Sequence, residues 1–207
     1  MVFTLGPSAH LPWLVTRAGL GTISVVQASF ASFRAVSQKP SVVLPTLSML
    51  LDLESSPVPM RRVYSLAIEL EQDARRVAQA QELTLDSSKP LLGLKGTFGL
   101  FGSDEWWANV NQREIPLLFL SGVIQRSYFA GQDSGGRNNT VDLVLSDGSI
   151  STAGIYTNDT RDVELFSPGH LVHAAYALDE LKRQPAPDGG VNYSRVALEM
   201  AISEEPG

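Results

Sequence analysis

The sequence predicts an α+β domain in which an amphipathic helix packs on a curled antiparallel sheet, forming a partly open small β-barrel of the OB or SH3 type. Two apolar runs, 117–129 and 141–146, are followed by an Asp-Gly pair that is typical of a tight turn. Apolar residues recur at helical spacing in 60–82 and alternate in 196–203. Because a helix with one apolar stripe and a sheet with one apolar face cover each other, these patterns predict one shared core.

The middle of the chain contains three predicted strands in succession. Residues 117–129 are mostly apolar at both odd and even positions, which is typical of a strand buried on both sides. In 141–146 apolar and other residues alternate, and Asp147-Gly148 then provides the positive φ that a tight hairpin turn requires. The return strand is 149–156, so we expect an antiparallel meander.

The pattern in 60–82 predicts the longest helix of the chain. Its apolar positions are separated by three or four residues, which places them on one helix face. The stripe consists of Val63, Ala67, Leu70, Ala74, Val77 and Gln81. Glu71 and Arg75 lie off this stripe and form a favourable pair four residues apart. We expect this helix to cover the sheet.

A second, short helix is predicted to follow Ser103 and to end near Gln112. Serine is a preferred N-cap residue, and the two acidic residues after it stabilise the positive end of the helix dipole. Trp106 and Trp107 each offer a large area for burial. We expect at least one of them to anchor the core, and an exposed one would be a candidate binding residue.

The C-terminal third predicts further strands. A short strand is expected at 163–166 and a closing strand at 196–203, where apolar and other residues alternate. The pattern in 170–182 fits both a helix and a strand. We favour a strand that ends in a helical turn, because the meander needs another partner.

The distribution of charge divides the chain into three parts. Residues 1–59 hold only five of the 38 charged side chains but six of the 12 prolines, which predicts an appendage before a core domain at 60–203. A short tail follows at 204–207. The 16-residue run 18–33 is free of charge but contains too many Ser, Thr and Gly residues for a membrane-spanning helix. Whether the appendage is an ordered arm or a processed secretory signal stays open at this point.

The composition limits the classes of function. Twenty-two acidic residues against 16 basic ones give a net charge of −6, which disfavours a general nucleic-acid or anionic-membrane surface. The absence of cysteine excludes disulfides, thiolate metal sites and a cysteine nucleophile. The expected location is the cytoplasm, where disulfides are rare.

Two glycine-rich segments stand out. Four glycines at a spacing of three, Gly93, Gly96, Gly99 and Gly102, match no phosphate-binding motif. We expect them to allow turns or close backbone contacts, with a ligand-facing loop as the alternative. The polar segment 131–139 is predicted to join the first two meander strands as a recognition loop or a mobile tip.

The preferred functional hypothesis is a non-catalytic binding or assembly module that acts through the glycine-rich loops and an aromatic face. No catalytic motif distinguishes any residue, and no cofactor is predicted. The candidate binding residues are Trp106, Trp107, Arg126, Tyr128, Arg137 and Tyr156. The expected partner is another protein, and association with further copies of the chain is compatible with the sequence.

Two other classes of function remain. Single-stranded nucleic acid is the first, because aromatic residues on a small barrel can stack on bases while Arg126 and Arg137 contact phosphates. A hydrolase or metal-dependent enzyme using His170 and His173 is the second. Those two residues form an H-x-x-H motif, which needs a third ligand to hold zinc.

Overall fold

The computed structural model describes residues 49–131 and 136–207 of the 207-residue chain. The strands are β1 (Met60–Ser65), β2 (Leu117–Tyr128), β3 (Thr140–Val144), β4 (Ile150–Gly154), β5 (Leu171–Glu180) and β6 (Tyr193–Ser203). The helices are α1 (Leu66–Gln72), α2 (Ala74–Leu85), α3 (Asp104–Asn111) and a 3-10 helix (Thr160–Leu165). Most of the appendage predicted at 1–59, including the signal-like run 18–33, lies outside the described residues.

The six strands form one antiparallel sheet in the order β1-β6-β5-β2-β3-β4. The α+β class and the antiparallel meander β2-β3-β4 are therefore confirmed. The OB- or SH3-like barrel is not confirmed, because β1 and β4 stand at opposite edges of the sheet and do not pair with each other. No helix in the described residues is long and apolar enough to cross a membrane.

The prediction of a single helix over 60–82 is wrong, because its first six residues form β1. Arg62 lies opposite Ala201 of β6, so the backbone of this segment pairs with residues far away in the sequence. Val63 and Tyr64 are both buried, and the register of β1 against β6 shifts between Arg62 and Tyr64. The helical part is also divided at Asp73, whose carboxylate accepts a hydrogen bond from the Arg76 amide and begins α2. Local spacing could not reveal a pairing partner about 140 residues away.

The remaining elements agree more closely with the predictions made from the sequence. The strand predicted at 117–129, the hairpin at 141–156 and the closing strand at 196–203 are present. The 163–166 segment belongs to the 3-10 helix rather than a strand. The ambiguous 170–182 segment is a strand without the expected helical turn, because its end keeps pairing with the glycine-rich segment through the Leu94–Leu181 bridge.

The main core lies between one face of the sheet and the helices, and we call this face the inner face. Trp106, Trp107 and Val110 of α3 are buried there, and Leu66 and Leu70 of α1 pack into the same cluster. α3 starts as predicted, since the hydroxyl of Ser103 accepts from the Trp106 amide at 3.2 Å. α2 has no fully buried residue and lies at the surface.

The four regularly spaced glycines shape the connection from α2 to α3. Gly93, Gly96, Gly99 and Gly102 have φ values of 86°, 78°, 90° and 73°, in the left-handed region that favours glycine. A Cβ atom on Gly93 would lie 2.8 Å from Cγ of Leu83 in α2. The interpretation as turns and close contacts is confirmed.

The opposite face of the sheet, the outer face, is covered only in part by the described residues. Leu51 packs there against Ala175 and Ala201, and its amide donates to Oε2 of the buried Glu199 at 3.0 Å. This contact covers the outer face of β5 and β6 around Ala175 and Ala201. Around β2, β3 and β4, several apolar side chains of the outer face stay exposed.

Candidate functional site

A β-bulge in β2 determines which side chains reach the outer face. Ile124 lies opposite Leu143 and Arg126 lies opposite Asp142, so Gln125 is an extra residue in β2. A bulge changes the face of the sheet to which the side chains after it point. Because of this shift, Arg126 lies on the same face as residues at odd positions earlier in the strand.

An apolar row crosses the outer face over three neighbouring strands. Val123 of β2 is opposite Val144 of β3, and Val144 is opposite Ile150 of β4. Val123 is 41% exposed, Ile150 is 58% exposed, and Phe119, further along β2, is 47% exposed. Contiguous exposed apolar side chains are typical of interaction sites. We call the exposed outer face of β2, β3 and β4 the open face.

Asp142 organises the polar end of the open face. Its carboxylate accepts hydrogen bonds from Arg126 Nε at 2.5 Å, from the Thr152 hydroxyl at 2.7 Å and from the Tyr128 hydroxyl at 3.3 Å. The hydrogen bond from Thr152, followed by that from Arg126, holds the pKa of this carboxyl below its usual range. The guanidinium of Arg126 also lies over the Tyr128 ring, 4.6 Å from its centroid. The structure thus joins two of the predicted binding residues in one cluster.

The other end of the open face carries a second arginine over a second aromatic ring. The guanidinium of Arg113 lies 5.6 Å from the centroid of the Phe119 ring. Arg113 has a φ of 60° in the loop after α3, a left-handed conformation that is uncommon for arginine. Cation–π pairs of this kind are attractive and fix the orientation of the guanidinium.

Arg137 lies beside the polar cluster, at the rim of a groove of about 480 Å³ that Arg126 also lines. Glu164, Phe166 and Pro168 also line this groove. The guanidinium of Arg137 donates to the Thr160 carbonyl at 3.2 Å. The predicted recognition loop thus borders the site, although its residues 132–135 lie outside the described ones.

The sequence of the chain also matches a known protein family. The family described as Immunity protein RhsI2 matches residues 60–203, well over half of the chain. The chain belongs to the RhsI2 immunity protein family. A search of curated proteins found no match. The matched residues have the same bounds as the predicted core domain, whose independence as a folding unit stays a prediction.

Membership of this immunity protein family supports the predicted non-catalytic, protein-binding role. The two histidines of the H-x-x-H motif do not face each other in the structure. His170 contacts the Ser203 carbonyl through Nδ1 at 2.9 Å, whereas His173 lies three residues further along an extended strand, on the opposite side. Across the described residues, no group of three or more His, Asp or Glu side chains could hold a metal ion.

Three predicted binding residues of this immunity-family chain are buried. Trp106 and Trp107 pack edge-to-face with centroids 4.8 Å apart, and both lie in the core. Tyr156 lies between Tyr64 and Tyr176, and burial raises its pKa to about 12. None of the three side chains presents a surface to solvent.

Sequence reasoning missed the exposed apolar part of the site. Apolar residues at both odd and even positions of 117–129 predict burial on both sides, yet Phe119 and Val123 are exposed. The available signal was Ser121 and Gln125, which interrupt the apolar pattern on that side of the strand. Asp142 was also missed, because only the register places it beside Arg126.

Proposed function

We propose that this chain is an immunity protein that binds a Rhs toxin through the open face and neutralises it by stoichiometric association. The family match supports the class of partner, since an immunity protein protects a cell against a toxin. The observation that carries the choice of surface is the exposed apolar row formed by Val123, Ile150 and the nearby Phe119.

The composition of the open face fits a protein partner. Aromatic residues and arginine are enriched among the residues that dominate binding energy, and here Arg126 and Tyr128 form one pair while Arg113 and Phe119 form another. Val123 of the apolar row lies between Phe119 and Arg126 along β2. A toxin surface with an apolar centre and a polar rim would match this arrangement.

Preorganisation supports the same conclusion. An exposed arginine normally loses side-chain entropy when a partner fixes it. Arg126 is already held by Asp142 and by the Tyr128 ring, so less freedom remains to be lost on binding. Asp142 is in turn held by Thr152, which keeps the whole cluster in one geometry.

The buried candidate residues have a supporting role in this proposal. Trp106 and Trp107 fix α3 on the inner face, and the loop that follows α3 presents Arg113. Tyr156 fixes the chain after β4. The glycine-rich segment between α2 and α3 serves as a spacer. The proposed location is the cytoplasm, which the absence of cysteine supports.

A titration distinguishes a stoichiometric binder from an enzyme that inactivates the toxin. Purified toxin is mixed with increasing amounts of the full chain, and the residual toxicity and the heat of binding are measured. We expect residual activity to fall linearly and to reach zero near the binding stoichiometry. Complete inactivation at a small fraction of that ratio would instead indicate catalysis, and the absence of both binding and protection would overturn the proposal.

A further inference from the structure

We propose that the toxin adds an extended strand to the free edge of β4 and pairs with the backbone of Ile150, Thr152 and Gly154. The inference rests on the proposed function, because it states how the same partner is held. It makes the edge of the sheet, next to the open face, part of the binding surface.

The hydrogen-bonding direction of β4 follows from the two ends of its hairpin. The amide of Leu145 donates to the Ser149 carbonyl at 2.9 Å, and the amide of Ile155 donates to the Asn139 carbonyl at 2.8 Å. Both pairs have the same register as the β3-β4 ladder between them. In an antiparallel ladder, hydrogen-bonded pairs alternate with pairs that are not hydrogen-bonded.

This alternation fixes which backbone groups of β4 are free. Ser151 and Ala153 occupy hydrogen-bonded positions opposite β3. Ile150, Thr152 and Gly154 occupy the positions between, so their N–H and C=O groups point away from β3. β4 is the last strand of the sheet, and among residues 49–131 and 136–207 it pairs with β3 alone. Alternate residues therefore offer a donor and an acceptor to an incoming strand.

In the described part of the chain, the edge of β4 lacks the usual protection against strand addition. Exposed edges are normally blocked by charged side chains, proline or a covering segment. The β4 sequence, Ile-Ser-Thr-Ala-Gly, contains neither a charge nor a proline. Ile150 at its start is 58% exposed.

The other edge of the sheet shows the contrast. Asn158 covers the end of β1, since its amide donates to the Val63 carbonyl at 2.9 Å. Its side chain accepts from the Ser65 amide at 2.7 Å and donates to the Ser65 carbonyl at 3.1 Å. The end of the β1 edge is thus covered by the chain itself, whereas no described residue outside β3 pairs with β4.

The geometry also defines the chemistry of the occupant. Backbone groups at alternate positions require an extended segment rather than a helix. The strand would continue the row formed by Val123, Val144 and Ile150, so its side chain beside Ile150 should be apolar. The partner segment is therefore an extended stretch of the toxin with apolar residues at alternate positions.

Amide hydrogen exchange, resolved by residue with NMR on the full chain and purified toxin, tests the pairing. In the free protein we expect slow exchange at Ser151 and Ala153 and fast exchange at Ile150, Thr152 and Gly154. In the complex the three fast amides should slow by at least about tenfold, since each becomes hydrogen-bonded. A complex in which these amides stay fast would overturn the strand pairing and leave the proposed function intact, whereas no complex at all would overturn both.

Two substitutions at Ile150 distinguish the contribution of its backbone amide to toxin binding from that of its side chain. Ile150→Ala removes the apolar contact but keeps the amide, and Ile150→Pro also removes the amide at the first residue of the strand, where proline is tolerated. We expect Ile150→Pro to bind about tenfold more weakly than Ile150→Ala, which corresponds to one hydrogen bond. Slow exchange at Ser151 and Ala153 would show that the hairpin of the proline variant is intact. Equal affinities of the two variants would contradict the inference.

Discussion

The indole Nε1 of Trp106 donates a hydrogen bond to Oδ2 of Asp179 at 2.8 Å, and this pair joins α3 to β5 inside the core. Asp179 is only 1% exposed. Its second oxygen, Oδ1, has no hydrogen-bond partner in the described part of the chain. Burial raises the pKa of this carboxyl, and the hydrogen bond from Trp106 opposes the rise without cancelling it. Ionisation of Asp179 is therefore less favourable in the folded state than in the unfolded state.

The substitution Asp179→Asn should change how stability depends on pH. The folded-state pKa of Asp179 lies above its unfolded value of about 3.9, so the folded state binds more protons between these two values. The free energy of unfolding should consequently decrease as the pH rises through this window, and Asp179→Asn should remove that decrease. Urea unfolding at several pH values from about 4 to 8 measures the effect.

Asp188→Asn is the control for this experiment, because Asp188 lies in an exposed loop. This variant should keep the pH dependence of the unsubstituted protein. If Asp179→Asn keeps it too, the buried carboxyl is not the cause.

Val123→Asp should weaken toxin binding by at least about tenfold, because it places a charge in the centre of the apolar row. Val191→Asp is a matched control, since Val191 is 48% exposed, close to the 41% of Val123, but lies in the loop before β6. Calorimetric titration of both variants against purified toxin measures the difference. Equal affinities of the two variants for the toxin would show that the toxin does not bind at the open face.

Arg113→Gly should stabilise the fold while it weakens toxin binding. The amide of Arg113 donates to the Val110 carbonyl at 3.1 Å, and that of Glu114 donates to the Asn109 carbonyl at 3.0 Å. This Schellman pattern places Arg113 at the left-handed position where glycine is usual. Relief of the strain should raise the free energy of unfolding by about 1 kcal/mol.

The expected loss of affinity for Arg113→Gly comes from the missing guanidinium over Phe119. Arg113→Asn is the comparison, because asparagine tolerates the left-handed conformation and also lacks the cation. Both variants should bind the toxin several-fold more weakly. Unchanged binding by both would show that Arg113 has only a local role.

A chain that begins at residue 60 should be less stable than one that begins at residue 49. Leu51 packs on the outer face, and its backbone amide donates a hydrogen bond to the carboxylate of the buried Glu199. Loss of a buried leucine costs about 2–4 kcal/mol. Thermal unfolding of the two shortened chains, with Leu51→Ala in the full chain for comparison, measures this. Equal melting temperatures for the two shortened chains would place 49–59 outside the folded core, as the sequence predicts.

Single-stranded oligonucleotides should show no saturable, salt-dependent binding. Arg126 is paired with Asp142, and Arg161 is paired with Asp159 at 2.5 Å. Both arginines are thus paired with carboxylates, on a chain whose net charge is −6. Fluorescence anisotropy of a labelled oligonucleotide at low and moderate salt provides the measurement. Binding that weakens with added salt would reinstate nucleic acid as a ligand.

The candidate site was predictable only where its residues carry a local signal. Arg126 and Tyr128 stand out in the sequence as charged and aromatic residues near a polar loop, and the structure brings them together. Trp106 and Trp107 carry an equally strong signal but are buried, because a large aromatic residue suits a core and an interface alike. The bulge at Gln125 has no recognisable signal, yet it decides that Arg126 shares a face with Phe119.

The sequence by itself determined the elements whose signals are local. These are the Asp147-Gly148 turn, the serine cap of α3, the left-handed glycines and the long strand β2, since each depends on the conformational preferences of neighbouring residues. Only the tertiary structure decided that 60–65 is a strand, which face of the sheet stays exposed and which edge stays free. These features depend on backbone pairing and burial between residues far apart in the chain, and helical spacing or strand alternation carries no record of such partners.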